Sequence, residues 1–187
     1  CNYQIIMESI DLSLQPENES VLLDELASQE KSYERLRCGM AYMTKKGLDV
    51  LENTIPDCFS DDTKIEWVLS ISDGIVSPDV LNKLNNQNNS EVRIMMGEEA
   101  IGNFHFRTTP SFHPKILWFD SGESHDVFIG SNNITRDGLK VNWEAGVFLQ
   151  GLNSSDDIEY INQIEEYWDL IWDTADPCSS ELIERYE

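Results

Sequence analysis

His113-Pro114-Lys115-Ile116-Leu117-Trp118-Phe119-Asp120 is the most informative run in this 187-residue sequence. Lys115 to Phe119 reads as a strand, and side chains on a strand alternate between its two faces. His113 and Lys115 therefore point one way, while Pro114, Ile116 and Trp118 point the other way into packing. An imidazole beside an ammonium suits a phosphate group. The lysine offers fixed positive charge to the phosphoryl oxygens. The imidazole can attack phosphorus or move a proton near neutral pH. Gly130-Ser131-Asn132-Asn133 then closes the next strand-like run with a glycine, a hydroxyl and two amides. Those groups could donate to the same phosphate, helped by backbone N–H groups at a helix start. Asn142-Trp143-Glu144 follows.

The pattern resembles the phospholipase D superfamily, whose mark is H-x-K-x4-D followed closely by G-S-x-N. His113, Lys115, Asp120, Gly130, Ser131 and Asn133 match its fixed positions. Asn142 and Glu144 supply the N-x-E typical of its nuclease-like members. From average composition, so many fixed positions coincide by chance on the order of once in a hundred thousand such chains. The resemblance implies an α/β fold, a mixed β-sheet flanked by helices on both faces. It implies two motifs facing each other across a two-fold axis. One histidine forms a phosphohistidine; the other protonates the leaving oxygen and then activates water. It also implies that no metal or other cofactor is needed. This chain has one motif, so the resemblance implies a homodimer across the active site. Ser131 and Asn133 would serve the phosphate, Glu144 would orient a histidine, and Asp120 and Gly130 would be structural. Single-motif members are mostly small nucleases and restriction-type endonucleases, which points to the catalytic part of a restriction or defence system.

Outward from the motif, the first half alternates helix and strand, as α/β domains do. Helical spacing runs over Val21 to Leu36, with Ser20 as N-cap, and again over Gly47 to Ile55, which Pro56 ends. Ser77-Pro78 starts a helix with Val80, Leu81 and Leu84 on its apolar face. Asn85 to Ser90 reads as a loop. Strands are expected at Cys38 to Met43, Ile65 to Ile71 and Val92 to Met96. After Phe104 they become closely spaced: Lys115 to Phe119, Asp126 to Ile129 and Glu144 to Leu149, with a turn at Asp120-Ser121-Gly122. Ile158 to Trp172 is an amphipathic helix with Ile158, Ile161, Ile164, Trp168, Ile171 and Trp172 on one side. No repeat or linker divides the chain, so residues 1–187 read as one catalytic domain.

The net charge of −22 works against a long nucleic-acid track, because phosphate neutralisation supplies much of that affinity. The charge is uneven. Ile101 to Phe119 holds no Asp or Glu, and His105, Arg107, His113 and Lys115 lie inside it, with His125, Arg136 and Lys140 after it. Acid gathers from Asp156 to Glu187, read as a helix and a solvated tail. His105 reads as a surface residue on a strand, His125 as a strand start, and Trp168 and Trp172 as core or dimer contacts rather than base platforms. Cys1, Cys38, Cys58 and Cys178 show no C-x-x-C spacing and read as reduced thiols of a cytoplasmic protein. The Cys1 start suggests a trimmed terminus. No apolar run nears the roughly 20 residues of a membrane span. The leading function is thus a metal-independent endonuclease hydrolysing DNA, with another domain or subunit recruiting the DNA. A lipid phosphodiesterase comes second, because no interfacial apolar or basic surface is visible. A catalytically silent interaction module comes third.

Overall fold

The computed structural model describes residues 9–29, 31–153 and 157–187; Cys1 and Asp156 lie outside them. Its frame is one eight-stranded mixed sheet. The strands are β1 (Ser9–Gln15), β2 (Arg35–Met40), β3 (Lys64–Leu69), β4 (Ser90–Met95), β5 (Lys115–Asp120), β6 (His125–Gly130), β7 (Glu144–Leu152) and β8 (Ala175–Pro177). Their spatial order is β1-β7-β6-β5-β2-β3-β4-β8. β2, β3 and β4 run parallel, and every other neighbouring pair is antiparallel.

Parallel neighbours need crossover connections. α2 (Lys45–Thr54) links β2 to β3, and α3 (Pro78–Asn85) links β3 to β4. Thr44 caps α2 by accepting from Gly47 N, and Ser77 caps α3 by accepting from Val80 N. These helices, with α1 (Val21–Ala27), α4 (Gly97–Ile101), α5 (Arg136–Lys140) and α7 (Ser180–Tyr186), pack on one face of the sheet over Leu36, Cys38, Trp67, Leu117, Phe119 and Phe128. α6 (Ile158–Thr174) covers the other face, where Ile161, Trp168 and Ile171 meet Ile116, Trp118 and Val127. The expected α/β sheet with helices on both faces is therefore present. No helix of the described residues is long and apolar enough to cross a membrane.

Several boundaries differ from the sequence reading. The helix expected over Val21 to Leu36 stops at Ala27, and β2 begins at Arg35 rather than Cys38. Tyr33 and Leu36 reach the same core from the strand side, which imitates helical spacing. The acidic tail is not simply solvated. α7 buries Leu182, Ile183 and Tyr186, and the Tyr186 hydroxyl donates to Val76 O at 2.5 Å. His105 stands in a 3-10 turn at φ 55°, not on a strand. β1 pairs with β7 in an unexpected orientation: Ser13 and Gln15 are buried, while Ile10, Leu12 and Leu14 face outward.

Candidate active site

β5 carries the informative run at the middle of the sheet. Ile116 and Trp118 join the α6-side core, and Leu117 and Phe119 the opposite one, so the alternation read from sequence is correct. His113, however, precedes the strand, which begins at Lys115. What brings the two together is direct contact rather than strand parity. Lys115 Nζ lies 2.7 Å from His113 Nδ1 and 3.2 Å from Nε2, and it donates to His113 O at 2.9 Å. Tyr42 stands edge-on to the imidazole, with ring centroids 5.9 Å apart. The His113 ring is exposed, whereas Lys115 is buried. Both open onto a groove of about 560 Å³ that Ser111, Phe112, Ile129, Gly130 and Tyr167 help to line.

β6 delivers the second part of the pattern. Gly130 pairs with Gly146, and no side chain would fit at Gly130, because a Cβ there would meet the Phe128 ring at 2.4 Å. Ser131 N donates to Ala145 O, and Ala145 N donates to Ser131 Oγ at 3.0 Å. The Ser131 hydroxyl donates in turn to Glu144 Oε2. Asn142 Nδ2 reaches Glu144 Oε1 at 3.4 Å. Asn133 makes no hydrogen bond to another of these side chains among the described residues; its Oδ1 is buried without a partner.

Two supports were illegible in the sequence. Asn132, fully buried, donates to Gly138 O at 2.9 Å and to Gln15 Oε1 at 3.4 Å. Gln15 donates to Gly138 O and Asn142 O. Together they tie β1, the Ser131–Asn133 segment and the start of α5 into one unit. Asn132 occupies the variable position of the motif, and nothing in the sequence marks the inward face of β1, which carries Gln15. Asp120 lies at the far end of β5, roughly 17 Å from Lys115 along the strand. Its Oδ1 accepts from Gly122 N at 2.8 Å, closing the β5–β6 turn. His125 starts β6 as expected and accepts from Trp118 Nε1. The cationic patch is weaker than it read. Arg107 pairs with Asp73 and Arg136 with Asp137.

Burial holds the Lys115 ammonium below the ordinary lysine range, and the Glu144 carboxylate pulls in the opposite direction. The folded value thus lies under the unfolded one. At low pH both states carry the ammonium, and its burial costs stability. As pH rises through that interval the unfolded chain keeps a proton that the folded chain has shed, so stability rises with pH there. In Glu144→Gln the opposing charge is gone, and the interval should widen toward lower pH. Melting temperature followed from pH 7 to 10 should show the rise starting earlier than in the wild type. It should be absent in Lys115→Met. An unchanged curve for Glu144→Gln would mean that the two groups do not interact.

A family model described as "Cardiolipin synthase, PLD-like domain" matches residues 22–172. Among solved structures, NucT from Helicobacter pylori superposes with a TM-score of 0.64 at 18% identity, covering 90% of this chain and 98% of that one. Nuc from Salmonella typhimurium, titled a phospholipase D family member, gives 0.60 at 17% identity, covering 90% and 97%. The phosphatidylserine synthase of Haemophilus influenzae Rd KW20 gives 0.61 at 13% identity, with 90% of this chain spanning 40% of that one. No curated protein matches significantly.

Proposed function

The chain belongs to the phospholipase D-like family, and from that premise we propose that it is a metal-independent phosphodiesterase cleaving nucleic-acid phosphodiester bonds, DNA foremost, in a site completed by a second copy of itself. The carrying observation is the exposed His113 ring held against the Lys115 ammonium at the mouth of a groove that Gly130 helps to line. An incoming phosphate competes with the ring for that ammonium. As Lys115 turns to the phosphoryl oxygens, a ring nitrogen is released with its lone pair and attacks phosphorus. An N–P bond forms and the P–O bond to the leaving group breaks. The leaving oxygen takes a proton from His113 of the partner subunit. That imidazole then removes a proton from water, which displaces the phosphoryl group from His113. As the phosphate binds, the Ser131 hydroxyl turns its proton from Glu144 to a phosphoryl oxygen, Asn133 donates beside it, and the released Glu144 carboxylate orients a histidine. Asp120 and Gly130 serve the framework.

The proposed dimer has a candidate surface. Leu12, Val147 and Ile129 stand opposite one another across β1, β7 and β6. Ile10, Leu12 and Leu14 are more than half exposed, and Ile129 is 45% exposed. Single exposed apolar residues are ordinary, but a continuous row marks an interaction surface. This row runs into the His113 groove through Ile129. The exposed Ile10, Leu12 and Leu14 on β1 run against the apolar half of the expectation that no interfacial apolar or basic surface is present. A lipid substrate is the second reading, favoured by the same row and disfavoured on anionic membranes by the net charge of −22.

Sedimentation at micromolar concentration should show a dimer. Leu12→Asp with Ile129→Asp should shift it to monomer and remove turnover. A fully active monomer overturns the composite site. Hydrolysis of a DNA oligonucleotide should survive EDTA; loss restored by magnesium would replace this mechanism with a metal-dependent one. Cleavage of phospholipid vesicles but not of oligonucleotide would favour the lipid reading. Recruitment of DNA by another domain or subunit predicts weak binding by this chain alone, with Kd no better than roughly 10⁻⁴–10⁻⁶ M at physiological salt.

A further inference from the structure

Trp143 is 75% exposed, whereas Trp67, Trp118 and Trp168 are buried and Trp172 stacks on Trp168. No ring pair or cation–π contact of Trp143 occurs among the described residues. It is nonetheless not on a slack loop. The residue before it is fixed on both sides: Asn142 N donates to Asp137 O, and Asn142 O accepts from Gln15 Nε2 at 3.2 Å. The residue after it, Glu144, opens β7 opposite Gln15. A large flat ring is thus carried on a rigid mount with nothing covering it.

Its surroundings have a definite character. Trp143, Leu14, Pro16 and Ala145 form apolar walls of a groove of about 400 Å³, and Ser131 and Glu144 form its polar end. That groove abuts the His113 groove at Gly130–Ser131. A phosphate seated at Lys115 would have the groove that Trp143 lines beside it, on the Ser131 side. Resting on the nucleic-acid reading above, we infer that Trp143 is a stacking platform for an unpaired nucleobase adjoining the scissile phosphate. The acidic body offers no extended cationic track, so affinity has to come from contacts other than phosphate pairing. Stacking on an aromatic face is such a contact, and it tolerates any base. A base inside a duplex already has both faces covered, so the platform selects single strands or frayed ends.

The test compares a single-stranded oligonucleotide with an abasic strand of equal length, using the full chain at dimer-forming concentration. The wild type should favour the base-bearing strand in kcat/KM, and Trp143→Ala should cut that preference by roughly five- to a hundredfold. Trp143→Phe should retain most of it. Binding is read independently of turnover in His113→Ala: the oligonucleotide should quench tryptophan emission more than the abasic strand does, and Trp143→Phe in that background should abolish the difference. Quenching by bases in a protein that cleaves only phospholipid would uphold the platform while the nuclease reading fails. Equal rates on the two strands in the wild type, or equal loss on both in Trp143→Ala, overturns the inference. So does dissociation of the Trp143→Ala dimer, which would make the indole a subunit contact.

Discussion

His113→Ala should lower phosphodiester hydrolysis by about 10⁴-fold or more, the scale on which enzymes lose rate when a nucleophile is deleted. Its melting temperature should stay within about 2 °C of the parent. The two halves of this expectation rest on different observations. The ring is exposed, so removing it opens no cavity. Lys115 loses its ring contacts but keeps the bond to His113 O at 2.9 Å, a backbone acceptor that alanine also provides. If His113 were only a satisfied loop residue, its loss would cost about 1–3 kcal/mol through an unpaired partner, and activity would fall only in proportion to folded protein. Hydrolysis rate and melting temperature on the same sample separate the cases. A folded, dimeric His113→Ala with near-normal rate would end the phosphohistidine proposal. Lys115→Ala offers a poorer test, because that side chain is buried and its removal alters packing as well as charge.

What the sequence could reveal divides along physical lines. The alternation of Ile116 and Trp118 against Leu117 and Phe119 was legible because both faces of β5 are buried in apolar cores. The helices α2 and α3 were legible from their caps and apolar spacing. β1 was not, although Ile10-Asp11-Leu12-Ser13-Leu14 does alternate. Its polar side faces inward, where Gln15 meets the Asn132–Gly138 network, and its apolar side faces out. Periodicity alone does not show which face is the core. α7 escaped for a related reason: charged residues surround Leu182, Ile183 and Tyr186 in a short segment, and only the packing against α3 and α4 reveals them as core. The candidate site was legible as residue types and spacing. Its contacts were not, since the His113–Lys115 pairing arises in a loop before the strand and the Ser131–Glu144 bond joins two strands.

Gly47→Ala should be among the most damaging substitutions in the protein, although it lies outside the motif. By helix propensity alone the change should stabilise α2 by about 1 kcal/mol. The site forbids it. A Cβ at Gly47 would stand 2.1 Å from Ile134 O, 2.4 Å from Ile134 C and 2.6 Å from Thr135 Cα. These are backbone atoms, so no side-chain rotation relieves the clash. The approach is close because Thr44 N donates to Ile134 O at 2.9 Å and Met43 bridges Ile134, which draws the start of α2 onto the segment that follows Asn133. To admit a methyl group, α2 must withdraw or the 134–135 backbone must move. Overpacking costs typically about 1–3 kcal/mol, and a backbone clash belongs at or beyond the upper end. For a chain of this size that corresponds to a melting temperature lower by about 10 °C. The displaced residues directly follow Ser131 and Asn133, so the protein that remains folded should have a reduced kcat as well. Gly47→Ala with an unchanged melting temperature would show that α2 can retreat freely, and that the loop bearing Ser131 and Asn133 is not fixed by this contact.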